Sequence, residues 1–88
     1  MTRLRPAAGV AVVDGDGVVY AAPLPHGPIA VLEGGAAAIW IAACDGPSES
    51  IAERVAEATG ARVGEVRADV DAFVRELLDR GLLESDPA

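Results

Sequence analysis

The chain has 88 residues, with fourteen acidic residues against seven arginines, no lysine and a net charge of −7. This length is enough for one small domain and excludes a large internal substrate cavity. The negative charge disfavours nucleic acids and anionic membranes as partners, because both are bound mainly through cations on the protein.

The N-terminal part predicts an arm, a hairpin and a third strand. Residues 1–7 are predicted to form a flexible arm ahead of a domain over residues 8–84, with a frayed tail over 85–88. Short β-branched runs at 10–13 and 18–22 flank the turn at 14–17, where glycines supply positive φ angles, so they predict an antiparallel hairpin. A loop with three prolines then leads to a predicted third strand at 29–32.

The C-terminal part predicts three helices. The first spans residues 35–43 and ends before Gly46 and Pro47. The second begins with a capping box formed by Ser50 and Glu53, and it ends at Gly60. The third runs from residue 63 or 64 to residue 80 and is closed by Gly81. The fold class is therefore α+β, a three-stranded antiparallel sheet followed by three helices.

Apolar spacing gives the inward faces of the two later helices. In the last helix, Val74 and Leu78 widen the apolar stripe onto a neighbouring face. The predicted inward residues are Ile51, Val55 and Ala58 in the second helix, and Val66, Val70, Phe73 and Leu77 in the third.

No residue cluster predicts catalysis or a cofactor. Cys44 is the only cysteine, which excludes an internal disulfide and fits a reducing cytoplasm, and we expect a buried, inert thiol. His26 stands alone in the proline-rich loop and is expected to be exposed. We predict no signal peptide, no membrane span, no metal, no cofactor and no enzymatic activity.

The turn at residues 14–17 lacks the further oxygens of a calcium loop, and Gly34-Gly35 lacks the lysine of a phosphate-binding loop. Neither glycine-rich segment is therefore predicted to bind a ligand.

A helix-turn-helix that binds DNA is an alternative interpretation of the last two helices. Arg54, Arg62 and Arg67 could form a small basic corner there. The third helix, however, carries five acidic residues against three arginines, so repulsion from phosphates should dominate.

Several motifs together resemble the PqqD-like family, also called RiPP recognition elements. They are a strand-ending Leu32, an AxxIW motif that ends at Trp40, the CDG motif from Cys44 to Gly46, and the ending DVxxFVxELxxRGLL from Asp69 to Leu83. The resemblance covers about the last two thirds of the chain. It implies a winged-helix-like domain that is not an enzyme and that binds the leader of a ribosomally made precursor peptide.

The resemblance also implies where the leader binds. An extended peptide would add to the edge of the third strand, and its side chains would settle on the third helix. Sequence alone leaves open which face of that strand is core. The candidate peptide-binding residues are Ile29, Ala30, Val31, Leu32, Arg67, Asp71, Phe73, Val74, Arg75, Leu77 and Leu78.

The implied partners are the precursor leader and a modifying enzyme, either a radical-SAM enzyme or a leader peptidase. A non-catalytic subunit that stabilises a larger enzyme remains a further alternative. The oligomeric state stays open, because an unpaired sheet edge also allows self-association.

Overall fold

The computed structural model describes residues 3–86, which form a three-stranded sheet, a two-stranded ribbon and three α-helices. The predicted α+β class, with a three-stranded antiparallel sheet followed by three helices, is confirmed. The elements in chain order are β1 (Arg3–Pro6), β2 (Val10–Gly15), β3 (Val18–Pro23), β4 (Ala30–Glu33), α1 (Gly35–Cys44), α2 (Ile51–Thr59), α3 (Val63–Asp79) and β5 (Leu83–Asp86).

The sheet has the order β2-β3-β4, and both pairs are antiparallel. Gly15 lies opposite Val18, so only Asp16 and Gly17 form the hairpin loop, and both have positive φ angles, 54° and 78°. Two such residues are what a type I′ turn requires, and its twist matches that of the strands it joins. The third strand is displaced by one residue from its predicted position, because Ile29 precedes the strand and Glu33 belongs to it.

The two ends of the described chain form an unexpected ribbon. β1 pairs antiparallel with β5, and Arg3 lies opposite Asp86. Leu4 is buried at 6% exposure, and Arg5 pairs with Glu84 at 2.7 Å between Nη2 and Oε2. The expected flexible arm is therefore corrected over residues 3–6, and the expected frayed tail over 85–86. Residues 1–2 of the arm and 87–88 of the tail lie outside the described part, whereas Ala7 lies within it.

Helix α1 begins and ends nearly where the sequence predicts. Gly34 is its N-cap with a φ of 57°, and Gly35 is its first residue. Ile39 and Trp40 are buried, whereas Ile41 is half exposed. The helix packs against β4, β1, α2 and α3, so it forms the centre of the molecule.

The predicted capping box at the start of α2 is wrong. Residues Ser48–Ser50 form a 3-10 turn, in which the Ser50 hydroxyl donates to the Pro47 carbonyl and accepts from Arg54 Nε, each at 3.2 Å. The hydroxyl is thus engaged away from the helix N–H groups. Ala58 is also exposed, and Ala52 and Ala56 are buried beside Ile51 and Val55 instead.

Helix α3 has the predicted glycine stop, and its predicted inward stripe packs against the core, although Val66 and Phe73 are only partly buried. Val70 and Leu77 are 1% and 0% exposed. At the C-terminus, Gly81 has a φ of 73° and donates to the Leu78 carbonyl, while Leu82 donates to the Leu77 carbonyl. This pair of bonds is the Schellman motif, which satisfies carbonyls that the helix leaves unpaired. It turns Leu82 and Leu83 into the core, where each is 2% exposed.

Candidate functional site

Strand β4 is an edge of the sheet. It pairs with β3 on one side, and no strand within residues 3–86 pairs with its other side. An edge strand presents a row of backbone N–H and C=O groups that another chain can bind. The edge singled out by the resemblance is thus unoccupied by any strand in the described part of the chain.

The two faces of β4 are distinct. Ala30 and Leu32 are 7% and 5% exposed and face the core, whereas Val31 is 51% exposed. This alternation follows from the two-residue period of a strand. Ile29, just before the strand, is 66% exposed. Among the four predicted positions on this segment, Val31 and Ile29 therefore offer side chains, while Ala30 and Leu32 can offer only backbone groups.

A groove between the start of α1 and α3 adjoins the end of β4. It has a volume of about 430 Å³. Glu33 ends β4 and Gly35, two residues later, already lines the groove. The groove is lined by Gly35, Ala36, Ile39, Asp69, Ala72, Phe73 and Glu76.

Of the α3 residues predicted from the sequence, Phe73 is the one that lines this groove. Asp69, Ala72 and Glu76 were not predicted as site residues, although a helical signal for them exists. They lie three or four residues apart and flank Phe73, so they share one side of α3. Because these three side chains are polar or small, they look like ordinary surface positions in the sequence.

Four other predicted residues lie on the opposite flank of α3. A second groove, of about 480 Å³, is lined by these four residues, Asp71, Val74, Arg75 and Leu78, together with Leu4 of β1 and Ser85 of β5. The structure therefore does not bring these four side chains together with Phe73. Successive residues of an α-helix are rotated by about 100° around its axis. One side of α3 therefore carries positions 71, 74, 75 and 78, and the opposite side carries positions 69, 72, 73 and 76.

The last two predicted α3 residues line neither groove. Leu77 is fully buried in the core. Arg67 is turned toward α2, where its Nη2 lies 2.6 Å from Oε1 of Glu53. This bond from Arg67 holds the pKa of the Glu53 carboxyl below its usual value. Arg67 thus ties α2 to α3.

The groove beside β4 is acidic. Asp69 and Glu76 lie on its α3 side, and Glu33 stands at the nearby end of β4, whereas no arginine within residues 3–86 lines it. Glu76 Oε2 does lie 3.5 Å from Arg80 Nη1, but both side chains are about half exposed, so the pair is weak. The groove accordingly favours a neutral or basic ligand over an acidic one.

The chain has one cysteine and one histidine, the two side chains considered for reactivity from the sequence. Burial raises the pKa of the half-buried Cys44 thiol, which keeps it protonated and unreactive. His26 is exposed in its loop, and within residues 3–86 no group of His, Cys, Asp and Glu is placed to hold a metal ion. None of the helices in this range is long and apolar enough to cross a membrane.

Comparison with known proteins gives one family. Residues 14–83, well over half of the chain, match the family described as Coenzyme PQQ synthesis protein D (PqqD). No curated protein and no solved structure gives a significant match. The matched range begins within β2 and ends at Leu83, so it contains β4, all three helices and the groove beside them.

Proposed function

Because the chain belongs to the PqqD family, whose members are non-catalytic peptide-recognition proteins of ribosomal peptide biosynthesis, we propose that it binds the leader of a precursor peptide. The bound precursor is then presented to a modifying enzyme. The observation that carries this proposal is the free edge of β4, which ends two residues before Gly35, a residue that lines the groove beside α3.

The leader binds by strand addition. An extended peptide alongside β4 satisfies the backbone groups of Ala30, Val31, Leu32 and Glu33 that do not pair with β3. Such backbone bonds supply affinity with little dependence on sequence. The outward side chains of the leader pack beside Val31, and those at alternate positions point the other way.

Specificity comes from the groove. Ile39 and Phe73 provide an apolar floor, which suits one aliphatic or aromatic side chain of the leader. Asp69 and Glu76 on the rim favour a basic or neutral residue beside it. Leaders that carry an acidic residue at this position should bind more weakly.

Tethering explains how a protein without catalytic groups can promote modification. Once the leader is held, the core of the precursor meets the enzyme at a high effective concentration. A radical-SAM enzyme or a leader peptidase would both benefit from such tethering. The same unpaired edge would also allow two copies of the domain to associate, and the leader would then compete with self-association.

Chemical-shift mapping with the leader encoded beside this gene tests the proposal. We expect amide shifts at residues 29–33 and along 69, 72, 73 and 76. Shifts at Asp71, Val74, Arg75 and Leu78 instead would place the leader in the groove by β1 and β5. A titration that moves neither set would refute leader binding by this domain.

A further inference from the structure

The outward face of the sheet carries a row of exposed apolar side chains. Val13 lies opposite Tyr20, and Tyr20 lies opposite Val31, so the three form one line across all three strands. Their exposures are 65%, 45% and 51%. Ile29 and Leu24, at 66% and 62%, stand just beyond the strands that carry this row. These five residues are referred to below as the outer apolar face.

The opposite face of the same sheet already forms the core. Val19 and Ala21 of β3 are fully buried, and Ala30 and Leu32 of β4 are nearly so. A three-stranded antiparallel sheet of this kind normally presents polar side chains on the side that helices do not cover. A cluster of large exposed apolar residues on that side is typical of a protein-binding surface.

The charge around this face specifies its partner. Between Pro6 and Glu53 the sequence contains no arginine or lysine, and its charged residues are all acidic. Asp16 lies in the hairpin turn, and Glu33 lies opposite Val18 at the same end of the sheet. A complementary partner therefore offers an apolar patch bordered by arginine or lysine. A second copy of this face offers only further carboxylates, which makes it a poor match.

We infer that the outer apolar face docks a basic, apolar surface of the modifying enzyme, and that a bound leader completes this docking surface. The inference rests on the proposed function. A leader strand added to β4 lies beside Val31 and extends the row formed by Val13, Tyr20 and Val31 by one strand. The enzyme then contacts the domain and the leader at once, so it binds the loaded domain more tightly than the empty one. By linkage, the enzyme tightens leader binding by the same factor.

A double variant away from β4 separates this surface from leader binding. Val13→Ser with Tyr20→Ser removes two members of the row, and neither side chain faces the core. The probes are the synthetic leader and the purified modifying enzyme encoded nearest to this gene, both measured by calorimetry. We expect leader affinity to stay within about twofold and enzyme affinity to fall by about tenfold or more. The control is Ile41→Ser, which removes a half-exposed side chain on α1 and should leave both affinities unchanged.

A charge variant supplies an independent measurement. Asp16→Asn keeps the positive φ that asparagine tolerates and removes one carboxylate beside the face. We expect weaker enzyme binding and a smaller loss of affinity on adding salt, with no change in leader binding.

The two ideas fail in different ways. If the leader binds but the double variant binds the enzyme as well as the wild type, the docking surface is refuted and leader recognition stands. If the wild type sediments as a dimer that the double variant abolishes, the face is a contact between copies, and the inference is overturned. If the leader does not bind the wild type at all, the proposed function is refuted, and the inference that rests on it is refuted with it.

Discussion

At the scale of single residues, neighbouring positions in β4 have opposite roles. Val31 is half exposed beside the free edge, while Leu32 packs into the core between the sheet and α1. The alternation of side chains in a strand produces this difference. The two residues therefore give a matched pair for separating binding from folding.

We predict that Val31→Asp weakens leader binding by about tenfold without unfolding the domain. The carboxylate replaces an apolar neighbour of the added strand, and aspartate disfavours extended structure. Stability should fall by no more than about 1 kcal/mol, because the side chain is exposed. Calorimetry with the leader and urea unfolding followed by circular dichroism would measure both effects.

The comparison variant is Leu32→Ala. It should cost about 2–5 kcal/mol of stability, because it leaves a cavity in the core. An unfolded Val31→Asp variant would instead show that this side chain supports the core.

Glu84 closes the ribbon between β1 and β5. Its Oε1 accepts from the Ala8 N–H at 2.8 Å, and its Oε2 accepts from Arg5 Nε and Nη2. The Ala8 N–H, and after it Arg5, hold the pKa of the Glu84 carboxyl below its usual value. A carboxyl whose pKa is lowered by folding stabilises the folded state when ionised.

The predicted pH effect follows from that sign. The contribution of Glu84 should be complete above the ordinary pKa of a glutamate and be lost as the pH falls through the lowered value. Glu84→Gln should therefore have a lower urea midpoint than the wild type at neutral pH. This gap between the two midpoints should disappear in acid. Asp86→Asn is the control. Asp86 Oδ1 lies 3.6 Å from Arg5 Nη1, so this longer ion pair should contribute less to stability. A gap that persists unchanged in acid would contradict this role for the carboxylate.

At the scale of elements, α3 separates two grooves. One flank faces the start of α1 beside β4, and the other faces β1 and β5. The helix is thus a partition whose two sides can be tested separately.

We predict that Ala72→Arg lowers leader affinity by about tenfold. The long side chain would occupy the groove, and its charge would pair with Asp69 or Glu76. Arginine and alanine have similar helix propensities, so the fold should be preserved. Fluorescence anisotropy with a labelled leader would measure the change.

Two controls locate the effect. Ala68→Arg is the same exchange one turn earlier, at an exposed position that does not line the groove, and it should leave binding unchanged. Leu78→Arg alters the opposite flank and should also be silent. A large loss with Leu78→Arg and none with Ala72→Arg would move the site to the groove by β1 and β5.

The limits of prediction from sequence also appear at this scale. The buried stripe of α3 and its stop at Gly81 followed from local spacing and from the conformational freedom of glycine. The ribbon of β1 and β5 did not, because its strands lie at opposite ends of the chain, and four residues such as those of Arg3–Pro6 carry no local strand signal. Which flank of α3 adjoins β4 depends likewise on how α1 packs between them. The spacing of residues along a helix shows which of them lie on the same side. Only the tertiary structure shows which elements that side contacts.

At the scale of the whole molecule, charge decides between peptide and DNA. The basic corner considered from the sequence is largely engaged within the protein. Arg54 donates to the carbonyls of Ala42 and Pro47, and Arg67 pairs with Glu53. With a net charge of −7, the domain has little means of attracting phosphates.

We therefore predict no retardation of duplex DNA in a low-salt gel assay, the condition most favourable to phosphate binding. A basic DNA-binding domain of similar size, run beside it, would show that the assay detects weak binding. Retardation that disappears on adding salt would revive the helix-turn-helix interpretation.

The pairing of Arg3 with Asp86 leaves both ends of the described chain at one corner, side by side. A unit built this way can be spliced into a surface loop of another protein as a cassette, since its entry and exit points nearly coincide. The same geometry would let an engineer graft the domain onto an unrelated catalyst and still keep the border of the sheet open for a substrate tag.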